Sequence, residues 1–149
     1  MDLWGPPNPA LWDAAMLGRT AEVLRLLEDG ADVDEENPTG HAALHVAVFQ
    51  RHGGIVRLLL DQGAGVNNQA ANDGATPLHC AAEPGHGDMF QILLDHGADF
   101  TLKANSGDTV LLTASGQGHD AIVQLLLDLG ADVNAQGGEQ NDEELTPKP

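Results

Sequence analysis

At 149 residues and 42% hydrophobic composition, the chain is long enough for one domain that buries roughly two thirds of its unfolded surface, and no second domain is required. Aromatic residues make up only 3%, so the core must come from Leu, Val, Ile and Ala on closely spaced elements. A net charge of −17, from 23 acidic and 6 basic residues, excludes direct nucleic-acid binding for want of a cluster of Lys and Arg to displace phosphate counterions; apolar runs as short as Leu58 to Leu60 exclude a membrane span.

The chain repeats itself. Gly30-Ala31, Gly63-Ala64, Gly97-Ala98 and Gly130-Ala131 recur at intervals of 33, 34 and 33. Nineteen positions before each glycine stands a leucine (Leu11, Leu44, Leu78, Leu111), and sixteen before it an alanine (Ala14, Ala47, Ala81, Ala114). A fixed period of this size means a stacked array of small units. The units fall at about 5–36, 37–69, 70–103 and 104–136, forming one domain over 1–136 that is followed by a tail, 137–149.

In chain order, the N-terminal stretch MDLWGPPNPALWDAA has neither the basic nor the apolar region of a secretory signal. One cysteine, Cys80, allows no internal disulfide, so the reading is a cytoplasmic or nuclear protein. Trp12 is expected in the N-terminal core, and Trp4 in the Pro-rich lead as either a packed strap or a loose ligand. Repeat one carries Glu22 and Arg25 where later repeats carry Ile55, Met89, Ile122 and Leu58, Ile92, Leu125; a polar outer side marks a capping unit. Repeat two has Ala42-Ala43 at its helix start and so lacks a hydroxyl cap, at a cost of about 1 kcal/mol. The loop between repeats two and three, Gly63 to Gly74, is one residue longer than its counterparts and predicts a finger that protrudes or tilts.

Repeat three is the most regular. Thr76 is a suitable N-cap and Pro77 fits a first turn, so a helix starts at 77, with Leu78, Ala81 and Ala82 as its apolar stripe. Glu83-Pro84-Gly85 ends it. A second helix over about 86–95 sets Met89, Phe90, Leu93 and Leu94 on one side and stops at Gly97, which can adopt the left-handed C′ conformation. Repeat four keeps Thr109 but has Val110 for proline and Leu112 for histidine. It retains Ile122, Val123, Leu125, Leu126 and Leu127 like an internal unit, while nothing after Gly130 offers another helix, so its outer face is expected to be partly apolar and exposed. The acidic tail has no periodic apolar residues and reads as disordered.

Thr76-Pro77-Leu78-His79, the pairs Gly85-His86 and Gly118-His119, and the four Gly-Ala ends together resemble the ankyrin repeat over about residues 9–136. The resemblance implies an all-α solenoid of stacked helix-turn-helix units with hairpin-like fingers, with histidines that support loop and finger hydrogen bonds. It further implies a protein partner held on the concave side formed by fingers and first helices. On that side the sequence places Pro38, Thr39, His41, Asn72, Asp73, Asn105, Ser106 and Asp108 at or beside the finger tips, and Met16, Leu17, Phe49, Gln50 and Glu83 late in the first helices. Met16, Leu17 and Phe49 are apolar where polar residues would cost nothing, which suits a partner anchor. Asp73, Asp108 and Glu83 favour a basic segment on that partner.

The same residues do not read as chemistry. His79, Cys80, Glu83 and His86 include metal-ligand types, but His45 shares a repeat slot with His79, and His52 and His119 share one with His86, so the histidines follow the packing template. His41 precedes the helix bearing His45, so the two are not expected to share a face. Cys80 occupies a small-residue slot also filled by Val46 and Thr113 and reads as inert. No nucleophile elbow, phosphate loop or dinucleotide fingerprint occurs, so the expectation is a non-enzyme without cofactor, metal, nucleic-acid or membrane partner. The leading function is a protein-interaction module acting as adaptor, scaffold or inhibitory subunit; the alternative is a structural array that self-associates weakly through its uncapped fourth repeat.

Overall fold

The structure, a computed structural model, describes residues 10–133, so the lead with Trp4 and the tail lie outside the described residues. It forms the helices α1 (Leu11–Met16), α2 (Thr20–Glu28), α3 (Ala43–Phe49), α4 (Gly53–Asp61), α5 (Pro77–Ala82), α6 (Gly87–Asp95), α7 (Val110–Gly116) and α8 (Asp120–Asp128). The odd-numbered helices stack on one another in one row and the even-numbered helices in a second, each repeat contributing one of each. Helices of six to nine residues do not persist alone in water, so these exist because they stack. Alanines fully buried on the first helices, Ala14, Ala43, Ala47, Ala81, Ala82 and Ala114, bring that row close together. Bulk comes from the second helices through Val23, Ile55, Leu59, Phe90, Leu93 and Leu126. Trp12 packs half-buried against this core.

The helix starts follow the expected caps. Thr76 Oγ1 accepts from the His79 amide at 3.4 Å and lies 2.8 Å from His79 Nδ1, and Thr109 Oγ1 accepts from the Leu112 amide at 3.3 Å. Ala42 holds the same extended backbone, φ −81° and ψ 169°, without a hydroxyl; its amide still donates to His45 Nδ1 at 3.2 Å. Ala42→Thr should therefore raise stability by about 1 kcal/mol, seen as a higher urea midpoint at unchanged slope. No rise would mean that the added atoms overfill this buried slot.

The turn inside each repeat needs a left-handed residue. Gly18, Gly85 and Gly118 supply it with φ of 75°, 83° and 76°, while repeat two uses Arg51 at φ 63°, the one non-glycine with positive φ among the described residues. That conformation costs a residue with a Cβ roughly 1–2 kcal/mol. Arg51 Nε donates to both oxygens of Asp88 at 3.0 and 3.3 Å, linking this turn to the start of α6 in the next repeat. An exposed pair contributes only about 0–1 kcal/mol, so part of the strain stands uncompensated. As expected, Gly97 ends α6 with φ 89°.

Fingers connect the repeats. Each is closed by a backbone bond: Asn37 N–H to His41 O (2.8 Å), Ala70 N–H to Ala75 O (2.8 Å) and Ala104 N–H to Asp108 O (2.9 Å). The extra residue of the second finger thus sits at its tip, between Ala70 and Ala75. It does not leave the tip free, because Ala71 donates to Gly40 O at 2.9 Å and Asp73 O accepts from Asn105 at 2.8 Å, tying the tip to both neighbours. A side chain at Gly40 would meet the Asn72 backbone nitrogen at 2.8 Å, so this stitching demands glycine there as well as positive φ.

The fourth repeat exposes only part of the apolar set expected on its outer face. Ile122 and Leu126 are buried, and Leu125 is half-buried like its counterpart Leu58, because these side chains face repeat three and their own first helix. Exposure shows instead at Val123, half-buried where Val56 and Phe90 are fully buried, and at Leu129 and Val133, which are exposed.

Candidate protein-binding face

Two families of histidine hold the concave side together. His45 Nε2 lies 2.9 Å from Asn68 O and 3.0 Å from Ala75 O, and His79 Nε2 lies 2.9 Å from Asp108 O, so each first-helix imidazole fastens the finger that follows it. In the second family His52, His86 and His119, immediately before α4, α6 and α8, reach back to the carbonyls of Met16, Phe49 and Glu83 at 3.1, 2.9 and 2.8 Å. The residues late in the first helices therefore have their backbones fixed from the following repeat while their side chains face outward. Burial pulls His45 and His79 below the ordinary histidine value, more than their carbonyl partners raise them, so both are neutral near neutral pH.

Against this frame lie two different hollows. The first, of about 250 Å³, is lined by Met16, Val46, Phe49 and Cys80 with Thr39, His41 and Gln50 at its edge. The second, of about 410 Å³, spans repeats three and four and carries three carboxylates, Asp73, Glu83 and Asp108, beside Asn105 and Ser106. Neither is lined by Lys or Arg. A shallower depression between the first two finger tips adds Pro38, Thr39 and Asn72. All the expected contact residues except Leu17 line one of these three; Leu17 is exposed and stands apart from them.

His41 does not behave as its position before α3 suggested. The finger folds back over the helix start, so the His41 ring meets that of His45 edge-on with centroids 5.6 Å apart. His41 Nδ1 lies 2.8 Å from Thr39 Oγ1 and Nε2 lies 3.6 Å from Asp73, joining the rims of the two hollows. Since both nitrogens of His45 already face backbone groups, the pair is a packing contact. Among the described residues no group of three metal-ligand side chains converges.

Val46, Cys80 and Thr113 line the hollows although they were not expected to contact a partner. They share one repeat slot, and that recurrence was the available signal: one face of every first helix looks onto the concave side. Cys80 is nonetheless almost fully buried, and burial pushes its thiol up to about 12. Because only the thiolate reacts, iodoacetamide should label native Cys80 at pH 8 roughly a thousandfold more slowly than the urea-unfolded chain. Comparable rates, read by mass shift, would refute this.

Comparison with known proteins agrees with the geometry. The family model "Ankyrin repeats (3 copies)" matches residues 6–70 and 65–137. The chain is 31% identical over 70 residues to ankyrin repeat-containing protein P1E11.10 of Schizosaccharomyces pombe, which covers 47% of this chain and 33% of that protein. It is 43% identical over 60 residues to the mitochondrial disaggregase of Homo sapiens and 42% to that of Bos taurus, in each case over 40% of this chain and 8% or 9% of the relative. The chain thus spans a third or less of the length of these relatives. Among the described residues no helix is long and apolar enough to cross a membrane.

Proposed function

The chain belongs to the ankyrin-repeat family, whose arrays are in general protein-interaction modules, and from that membership we propose that it binds a partner protein on its concave face and acts without catalysis, as an adaptor or inhibitory subunit. The observation that carries this is the pair of open hollows on one face, where the exposed Met16 and Phe49, at 37% and 45%, gather beside polar finger tips. Large side chains left in water by a fold that fixes their backbones suit a contact surface. The single thiol and the absence of a disulfide among the described residues fit a reducing cytoplasmic or nuclear setting.

The test is a comparative affinity capture from source-cell lysate with three baits, each checked for native circular dichroism. Proteins retained by the wild type and by the outer-surface variant Gln91→Lys should be lost with Phe49→Ser. Retention that ignores Phe49→Ser, or that Gln91→Lys abolishes, would sink the concave-face reading.

A second reading rests on the partly exposed Val123 with Leu129 and Val133 at the end of the array: weak self-association through that end. Light scattering across concentration decides it. A rising molar mass that Leu129→Glu suppresses is the expected result, and a constant monomer would dismiss this reading.

A further inference from the structure

The concave face is divided by chemistry along the direction in which the repeats stack. Its N-terminal half is an apolar pocket centred on α3, where Phe49 and Val46 stand between Met16 of α1 and Cys80 of α5. Its C-terminal half, between α5 and α7, is an acidic pocket. In that pocket the carboxylates of Glu83 and Asp108 have no hydrogen-bond or ion-pair partner among the described residues, and that of Asp73 accepts from the Ala75 amide at 3.0 Å and lies 3.6 Å from the His41 imidazole, which counts as a charge pair only when His41 is protonated. Few cations exist elsewhere on the chain to compete, with 6 against 23 acidic residues. The two halves therefore ask for opposite side chains from whatever lies across them.

Building on the concave-face reading above, we propose that the partner is recognised through an extended segment bearing one large apolar side chain and one Lys or Arg, set about three to five residues apart. The apolar side chain fills the pocket at Phe49, and the cation enters the acidic pocket between Glu83 and Asp108. The spacing follows from the stack. Neighbouring helices pack about 8–10 Å apart, the pocket centres are about one and a half helices apart, and an extended strand advances about 3.3 Å per residue. An apolar group alone leaves three carboxylates facing a desolvated partner surface, and a cation alone leaves Met16 and Phe49 in water; the two together satisfy both pockets. Charge complementarity selects this occupant over an acidic or purely apolar segment, which would set like charges together or leave the carboxylates unpaired.

The experiment is selection of random twelve-residue peptides displayed on phage against the immobilised full chain, followed by affinity measurement of the enriched peptides, made synthetically, by fluorescence anisotropy. Enriched peptides should share an apolar and a basic residue three to five positions apart. Phe49→Ser should weaken them at least about tenfold, and Glu83→Gln combined with Asp108→Asn about three- to tenfold, with added salt weakening the wild type and having less effect on the double variant. Of the three substituted side chains Phe49 and Glu83 are exposed and Asp108 half-buried, and circular dichroism checks that each variant is folded. Peptides that depend on Phe49 but carry no common basic residue and ignore the double variant would overturn this inference while leaving the concave-face reading intact. Peptides indifferent to both variants would overturn both. Failure to enrich any linear peptide would overturn the inference alone, leaving the lysate comparison to judge the broader reading.

Discussion

Phe90→Ala is expected to lower the free energy of unfolding by about 3–5 kcal/mol, the usual cost of emptying a fully buried aromatic site. Phe90 is 0% exposed on α6, which packs against α4, α5 and α8, so the cavity opens where repeats two, three and four meet. In an array whose stability is a sum of unit and interface contributions, such a cavity weakens the link between its neighbours as well as the unit itself. Since whole domains are stable by only about 5–15 kcal/mol, the loss is large enough to split one transition into two. Urea unfolding followed by circular dichroism measures it, with the exposed Leu24→Ala as a control expected to change stability by less than about 0.5 kcal/mol. A loss for Phe90→Ala below about 1.5 kcal/mol would contradict the packing described.

Stability should also fall steeply with acid, beginning near neutrality. His45 and His79 are buried and hold their protons less tightly when folded than the ordinary value of about 6.5 that applies to the unfolded chain. Above that pH both states are neutral and the two histidines contribute no pH dependence. Below it the unfolded chain takes up protons that the folded chain refuses, so stability is lost as pH falls from about 6.5 through the lowered folded values. The limiting slope is about 1.4 kcal/mol per pH unit for each histidine and about 2.7 for both. Asp99, held low by the Thr101 hydroxyl and amide, and Asp88, where desolvation is outweighed by the combined hydrogen bond and charge of Arg51 and the Met89 amide, act in the same direction. Their window opens only below about pH 4. His79→Gln should remove about half of the slope between pH 6.5 and 5.5, measured by urea titrations at each pH. A profile that stays flat over that interval would show that these imidazoles are not buried neutral.

What could be read from the sequence was whatever stacking repeats. Thr76 and Pro77 announced α5, Gly97 announced the end of α6, and the 33-residue period announced the array, because each position must satisfy the same neighbours in every unit. Features that belong to one unit only were harder to see. Arg51 looks like an ordinary surface charge; only its alignment with Gly18, Gly85 and Gly118 reveals a left-handed turn. The His41–His45 contact depends on how the finger closes through Asn37, whose side-chain oxygen accepts from the Thr39 and His41 amides at 3.0 and 2.9 Å. Outer-face exposure in repeat four was expected of Ile122, Val123, Leu125, Leu126 and Leu127 together, yet a helix shows only one side to its end, and of these it is Val123 that is more exposed than its counterparts. The positions of the proposed contact residues on the concave side, Leu17 apart, could be read from their slots. Their division into an apolar and an acidic half needed Val46, Cys80 and the fold of the second finger tip.

The backward-reaching histidines give the array a direction. His52, His86 and His119 each close the first helix of the preceding repeat, and repeat one has Arg19 in that slot. His45 and His79 oppose that direction, reaching carbonyls of the finger that follows. Parting repeats two and three, or three and four, therefore breaks one imidazole contact in each direction, whereas repeat one has Trp12 in the forward slot and meets repeat two through one such contact, that of His52. The latches are doubled at the two inner boundaries and single at the first.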